Sequence, residues 1–212
     1  MSLIRQLATR LAERRQRHRL RRDLRRTPTI VDTVGLTRIQ YASAEKLMVG
    51  WLNVDLASEA YIRNVCATDA VYRCQNLIEP HPFADDTFEY GFGEDFLEHL
   101  EQDEAIIFLC EAYRTFKPGG VLRLSTPSLE GVLARHYRTS DYGGAVMGQH
   151  EAYRMWGHLH FFAKPEIQLL AEHIGFAGVH FENYGQSRHE ALRGIDTREH
   201  QADLNLIVEL TK

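Results

Sequence analysis

Eleven histidines in 212 residues are the first chemical feature of this chain, and His136, His150, His158 and His160 fall in or beside one stretch, residues 130–160. A neutral imidazole titrates close to physiological pH and can take a proton from a hydroxyl or an amine. Helix capping or packing is the competing use for each of them. No HExxH pattern occurs, and His158-x-His160 lacks a carboxylate at a metal-ligating interval, so no metal site is read from spacing. Cys66, Cys74 and Cys110 share no CxxC spacing and read as small hydrophobes. Tyr137, Tyr142, Tyr153, Met155 and Trp156 give the same stretch an amphipathic lining suited to a sugar or another polar small molecule, or packing for the segment itself.

These groups need a scaffold, and the composition, 44% apolar and 25% charged, is that of a globular chain. No apolar run approaches the ~18 residues that cross a bilayer, and the first residues lack the apolar core of a secretory signal, so a cytoplasmic protein is expected. Charge is unevenly spread. Residues 1–26 hold ten arginines against Glu13 and Asp23, so that segment carries +8 and the rest −12 of the formal −4. Leu3, Ile4, Leu7, Leu11, Leu20 and Leu24 recur at helical steps among the arginines, which describes a basic amphipathic arm. It suits the inner face of an anionic membrane, an acidic protein partner, or packing of its leucines on the body or a second subunit. Nucleic acid is not the expected partner, because no aromatic residues interleave with the arginines to stack bases.

Residues 27–212 read as one α/β domain with an insertion at about 130–160. Strand patterns fall at 36–41, 51–56, 70–75, 88–93, 121–125, 179–184 and 204–210, and helical ones at 102–116 and 165–174. Lys117-Pro118-Gly119-Gly120 is expected to stop the first of these helices and make a tight turn, while Pro165 and Gly175 bound the second. Alternation of this kind implies a mostly parallel sheet with helices on both faces and a ligand beyond the strands' carboxyl ends. The insertion is long for a simple connection and reads as a lid or substrate-binding loop, or as a surface excursion.

Four pieces then occur in order: Pro82-Phe83-Ala84-Asp85 before Phe88-Glu89; Leu97-Glu98-His99-Leu100; residues 111–120 ending in Lys-Pro-Gly-Gly; and Gly157-His158-Leu159-His160-Phe161-Phe162 followed by Pro165-Glu166 and Gly175-Phe176. With Gly50-Trp51 and the final strand, this set resembles the class I S-adenosylmethionine-dependent methyltransferases, in particular their type 11-like bacterial group, over about residues 36–212. The resemblance implies a Rossmann-like seven-stranded sheet with the last strand antiparallel, and S-adenosylmethionine as cofactor. It implies that Asp55 hydrogen-bonds the cofactor ribose, that Gln75 and Asn76 lie near the adenine, and that Phe92, Gly93 and Glu94 line the methionine end. It also puts the His158 region at the border of the acceptor pocket, which makes His158 and His160 the catalytic candidates for transfer to oxygen or nitrogen.

One departure stands out. Counting back from Gly50-Trp51 puts Ala42, Ser43 and Ala44, after Tyr41, where the family has a glycine-rich turn against the cofactor. Each added Cβ strains a turn that needs positive φ or intrudes on the ligand, at a cost on the order of 1 kcal/mol or more. Two readings follow: a methyltransferase with a remodelled turn, or a degenerate member that kept the fold as a binding or scaffold subunit. The ending YGQSRHEALRGIDTREH resembles methyltransferase-like proteins of bacterial cell-surface polysaccharide synthesis, which would make the acceptor glycan-related. Methylation of nucleic acid is not expected from an acidic body without an Asn/Asp-Pro-Pro-Tyr/Phe motif.

Overall fold

The computed structural model describes residues 28–136 and 141–212. The expected basic arm lies outside the described residues, as does Tyr137. The chain runs β1 (Arg38–Tyr41), β2 (Leu52–Asp55), α1 (Glu59–Val65), β3 (Val71–Cys74), β4 (Phe88–Glu94), α2 (Gln102–Thr115), β5 (Phe116–Pro127), α3 (Leu129–His136), α4 (Tyr142–Gln149), α5 (Lys164–Ile174), β6 (Gly178–Glu182) and β7 (Asn205–Thr211). The seven strands form one sheet in the order β3-β2-β1-β4-β5-β7-β6, with β7 antiparallel to both its neighbours and the other pairs parallel. This is the Rossmann-like arrangement, with its last strand antiparallel, that the family resemblance implies.

The two faces are covered differently. On one, Ala105, Phe108, Leu109 and Ala112 of α2 and Ile167 and Ala171 of α5 are fully buried with Ile39, Leu122 and Leu124 of the sheet. Helix α2 begins where the Glu104 carboxylate accepts the Glu101 N–H at 3.0 Å. Helix α5 has Pro165 in its first turn and stops at Gly175, whose φ of 117° is closed to most side chains. On the other face no long helix among the described residues lies over the centre. Trp51, Phe92 and Val121 are covered by Leu192 and Ile195 of the connection between β6 and β7.

That connection is pinned by charge. Arg123, fully buried on β5, donates to both carboxylate oxygens of Asp196 at 2.9 and 2.6 Å and to Glu209 of β7 at 2.7 Å. Such a triad is costly to desolvate, and its value is in fixing register: only one placement of residues 183–204 brings Asp196 to the guanidinium.

Three local expectations are corrected. The strict alternation of strand and helix fails three times: β1 reaches β2 through residues 42–51, β3 reaches β4 through residues 75–87 and β6 reaches the antiparallel β7 through residues 183–204, in each case without an α-helix. Parallel strands are usually joined through one. Second, Lys117-Pro118-Gly119-Gly120 does not form a separate turn; β5 starts at Phe116 and absorbs it, with Gly119 at φ 79° and a register shift opposite Phe88 and Tyr90. Third, the insertion is not a loop. It folds into α3, α4 and a π-helical turn, His150–Met155, and seats Val132, Ala152 and Phe161 against Leu204.

Candidate active site

The carboxyl ends of β1, β2, β3 and β4 gather most of the residues expected to hold the cofactor. Ala42 and Ala44 follow β1 with φ of 49° and 46°, so both alanines keep the left-handed conformation that glycine adopts without strain. Ser43 between them is buried, and its N–H donates to the Val54 carbonyl at 3.2 Å. Asp55, last in β2, accepts the Ala44 N–H at 2.8 Å and the Leu56 N–H at 2.6 Å. Its carboxylate therefore holds the turn in place. Gln75 donates its N–H to the Asp55 carbonyl at 2.8 Å, and the Asn76 amide donates to Glu79 at 3.0 Å. Gly93 packs closely enough that a Cβ would stand 3.2 Å from Leu124.

Two of the expected cofactor residues turn away from this edge. Tyr41 is 1% exposed with its ring 5.0 Å from Phe108, on the helix-covered face, so only its main chain reaches the turn. Phe92 is buried on the opposite face under the β6–β7 connection. Glu94 ends β4, and its carboxylate accepts both the N–H and the hydroxyl of Thr197, at 2.9 and 2.5 Å. The Lys46 ammonium also donates to the Thr197 hydroxyl, at 2.9 Å. Thr197 thus bridges the turn after β1 and the end of β4.

Beyond β4 and β5 lies a cavity of about 410 Å³, within the size range of small-molecule pockets. Asp95, Glu98 and His99 reach it from the chain after β4; His136, Ala152, Trp156 and His158 from the insertion; and Arg198, His200 and Gln201 from the β6–β7 connection. None of the expected cofactor residues lines it. Of the catalytic candidates, His158 does and His160 does not. The His160 ring instead meets the Glu166 carboxylate at 2.9 Å, a carboxylate that also accepts from Gln102 at 2.9 Å, which ties the starts of α2 and α5 together.

The His158 ring is fixed. Its Nδ1 meets the Ala152 carbonyl at 2.8 Å and must carry the proton there, which leaves Nε2 as the lone-pair nitrogen, 4.0 Å from Glu98 Oε1. Burial, and then the neighbouring His99, push its pKa below the ordinary value, so the ring is neutral at pH 7. Glu98 is fully buried; one oxygen accepts the Thr126 hydroxyl at 2.8 Å while Oε1 has no partner. Burial, with Asp95 nearby, pushes its carboxyl up to about 8. Asp95 itself pairs with Arg198 at 2.8 Å.

Sequence reasoning missed Glu98 and the β6–β7 residues as cavity groups. Glu98 was visible in the Glu98-His99 pair, whereas nothing in the spacing signals that Arg198 and His200 arrive from a hundred residues away.

No family model matches the sequence, and no curated protein matches it. Solved structures do. An S-adenosylmethionine-dependent methyltransferase from Mesorhizobium loti superposes with a TM-score of 0.55 at 16% identity, over 84% of this chain and 91% of that one. One from Archaeoglobus fulgidus gives 0.55 at 14% identity, over 96% and 94%. The Haemonchus contortus phosphoethanolamine N-methyltransferase 2, solved with phosphomonomethylethanolamine and S-adenosylhomocysteine, gives 0.53 at 15% identity over 93% of this chain and 52% of that one. Together with the sheet order and the antiparallel β7, these likenesses show that the chain has the class I S-adenosylmethionine-dependent methyltransferase fold.

Proposed function

We propose that the protein transfers a methyl group from S-adenosylmethionine to an oxygen or nitrogen of a polar small molecule, of the glycan-related kind, held in the cavity beyond β4 and β5. The observation that carries this reading is the pair of left-handed alanines. Ala42 and Ala44 keep a left-handed backbone that an alanine side chain disfavours, with Asp55 bonded to the Ala44 N–H, and a turn held in this shape supports a ligand lying against it. Asp55, Gln75 and Asn76 would meet the ribose and adenine, the main chain at 41–44 would lie against the cofactor, and Gly93 and Glu94 would face its methionine end.

Methyl transfer asks the protein mainly to hold a sulfonium methyl in line with a nucleophile and to remove a proton. The acceptor oxygen or nitrogen attacks the methyl carbon, the carbon–sulfur bond breaks, and the thioether leaves. His158 Nε2 is the proton acceptor that this geometry offers. Trp156 and Phe161 supply apolar walls and Arg135 and Arg198 supply donors, a mixture suited to a sugar. The arm of residues 1–26 would bring the protein to the anionic inner face of a membrane, and pelleting of the full chain with anionic but not neutral liposomes tests that.

A second reading has its own observation. The Lys46–Thr197–Glu94 bridge occupies the groups that would face the methionine end, which favours a methyltransferase-fold scaffold without cofactor. Calorimetric titration of the full chain with S-adenosylmethionine and S-adenosylhomocysteine separates the two. Micromolar affinity supports the enzyme, and no heat at millimolar ligand supports the scaffold.

A further inference from the structure

The sequence shows no metal-binding spacing, yet the fold assembles a ligand set from positions far apart in the chain. Glu98 Oε1, His99 Nε2 and His158 Nε2 lie within 4.8 Å of one another, with the carboxylate oxygen 3.9 Å from the first imidazole nitrogen and 4.0 Å from the second. Ligands at zinc–nitrogen and zinc–oxygen distances around a tetrahedral ion stand about 3.4 Å apart, so the carboxylate–imidazole pairs would close by roughly half an ångström and the two imidazoles by about 1.4 Å at most.

Four independent features make this more than a chance cluster. Glu98 Oε1 is a buried carboxylate oxygen with no hydrogen-bond partner, aimed between the two rings. Its other oxygen is anchored by Thr126, so the orientation is set. The His158 Nδ1–H is spent on the Ala152 carbonyl, the outer hydrogen bond that fixes ligating histidines and exposes the Nε2 lone pair. All three residues border the cavity, so a fourth coordination position opens onto it. Of the other carboxylates there, Asp95 pairs with Arg198 and Glu151 lies 3.3 Å from the His136 ring.

We propose that Glu98, His99 and His158 bind a divalent first-row transition ion, zinc-like in preference, with an open position facing the cavity. Two imidazoles and one carboxylate favour such an ion over magnesium or calcium, which take oxygen ligands. The open position accepts an oxygen or nitrogen of whatever the cavity holds. Under the methyl-transfer reading, and resting on it, that atom is the acceptor: the ion would lower its pKa so that its proton passes to solvent water in the cavity, and His158 serves as a ligand instead of a free base. Binding of the ion does not depend on that reading.

The test uses the full chain, stripped with chelator and titrated with Co²⁺. One equivalent producing visible absorption bands, abolished by Zn²⁺, is expected. His99→Ala, His158→Ala and Glu98→Gln should each weaken binding at least ~10-fold; His99 is partly exposed, so its variant keeps the fold, which denaturant unfolding verifies. Absence of bands at millimolar Co²⁺, or unchanged affinity in His99→Ala and Glu98→Gln, overturns the site. Ion binding without any response to S-adenosylmethionine would uphold the site and remove the methyl-transfer reading, while the reverse pattern would remove the site alone.

Discussion

The two ends of the candidate site dispose of their polar groups in opposite ways. At the carboxyl ends of β1, β2 and β4, Asp55 is bonded to Ala44 and Leu56, and Glu94 to Thr197. Across β5, the buried Glu98 Oε1 has no hydrogen-bonding partner and the His158 Nε2 stands 4.0 Å from it at the cavity wall. A polar group already satisfied within the protein must give something up to bind a ligand, whereas an unsatisfied buried one gains by it. The cavity therefore offers an unsatisfied carboxylate, whereas at the strained alanine turn the carboxylates must trade internal bonds for ligand bonds and only the buried Ser43 hydroxyl is without a partner.

The comparison breaks most completely if the β6–β7 connection is released, since it supplies Thr197 to one half and Arg198 and His200 to the other. Arg123→Met leaves Asp196 and Glu209 buried without a counter-charge and should cost about 3–5 kcal/mol in urea unfolding. Full stability in that variant would show that the connection is held by its apolar contacts alone. Next in size is the contrast between the two catalytic candidates. His158→Ala should lower turnover about 100-fold, while His160→Ala, which removes a helix-to-helix contact outside the cavity, should leave turnover within a few-fold and lower stability by roughly 1 kcal/mol.

The turn itself is sharpened by returning glycine to it. Ala42→Gly with Ala44→Gly relieves two left-handed alanines but loosens the unfolded chain, so stability should change by less than about 1 kcal/mol while affinity for S-adenosylmethionine rises about tenfold in calorimetry. No gain in affinity would place the ligand elsewhere.

The smallest effect lies outside both halves and serves as a control. Burial holds the His81 imidazole neutral, with a pKa of about 4 against an ordinary 6.5. The unfolded chain takes up a proton that the folded one refuses, so this contribution is complete above pH 6.5 and is lost as pH falls from there towards 4. His81→Gln should flatten the decline in denaturant stability between pH 7.5 and pH 6 by about 0.8 kcal/mol, and an unchanged slope would assign acid sensitivity to other groups.

Much of this molecule was legible residue by residue. Period-two and period-3.6 patterns located every strand and the helices at 102–115 and 164–174, because side-chain alternation and helix-ending residues such as Gly175 act over a few positions. The missing helix between β1 and β2 was not legible, since a family-like order of motifs says nothing about which connection has been shortened. Nor was the helical insertion, where Gly143, Gly144 and Gly148 weaken the local signal.

The sequence by itself determined the α/β class, where the strands fall along the chain and which residues end them, for these follow from hydrophobic period and backbone preference within short windows. Only the tertiary structure decided that Arg123 meets Asp196, that Thr197 closes on Glu94, and that Glu98 and His99 face His158. Those encounters join positions dozens of residues apart, and their location is fixed by how helices and connections fill the space over a twisted sheet, a property of the whole packed chain that no local spacing encodes.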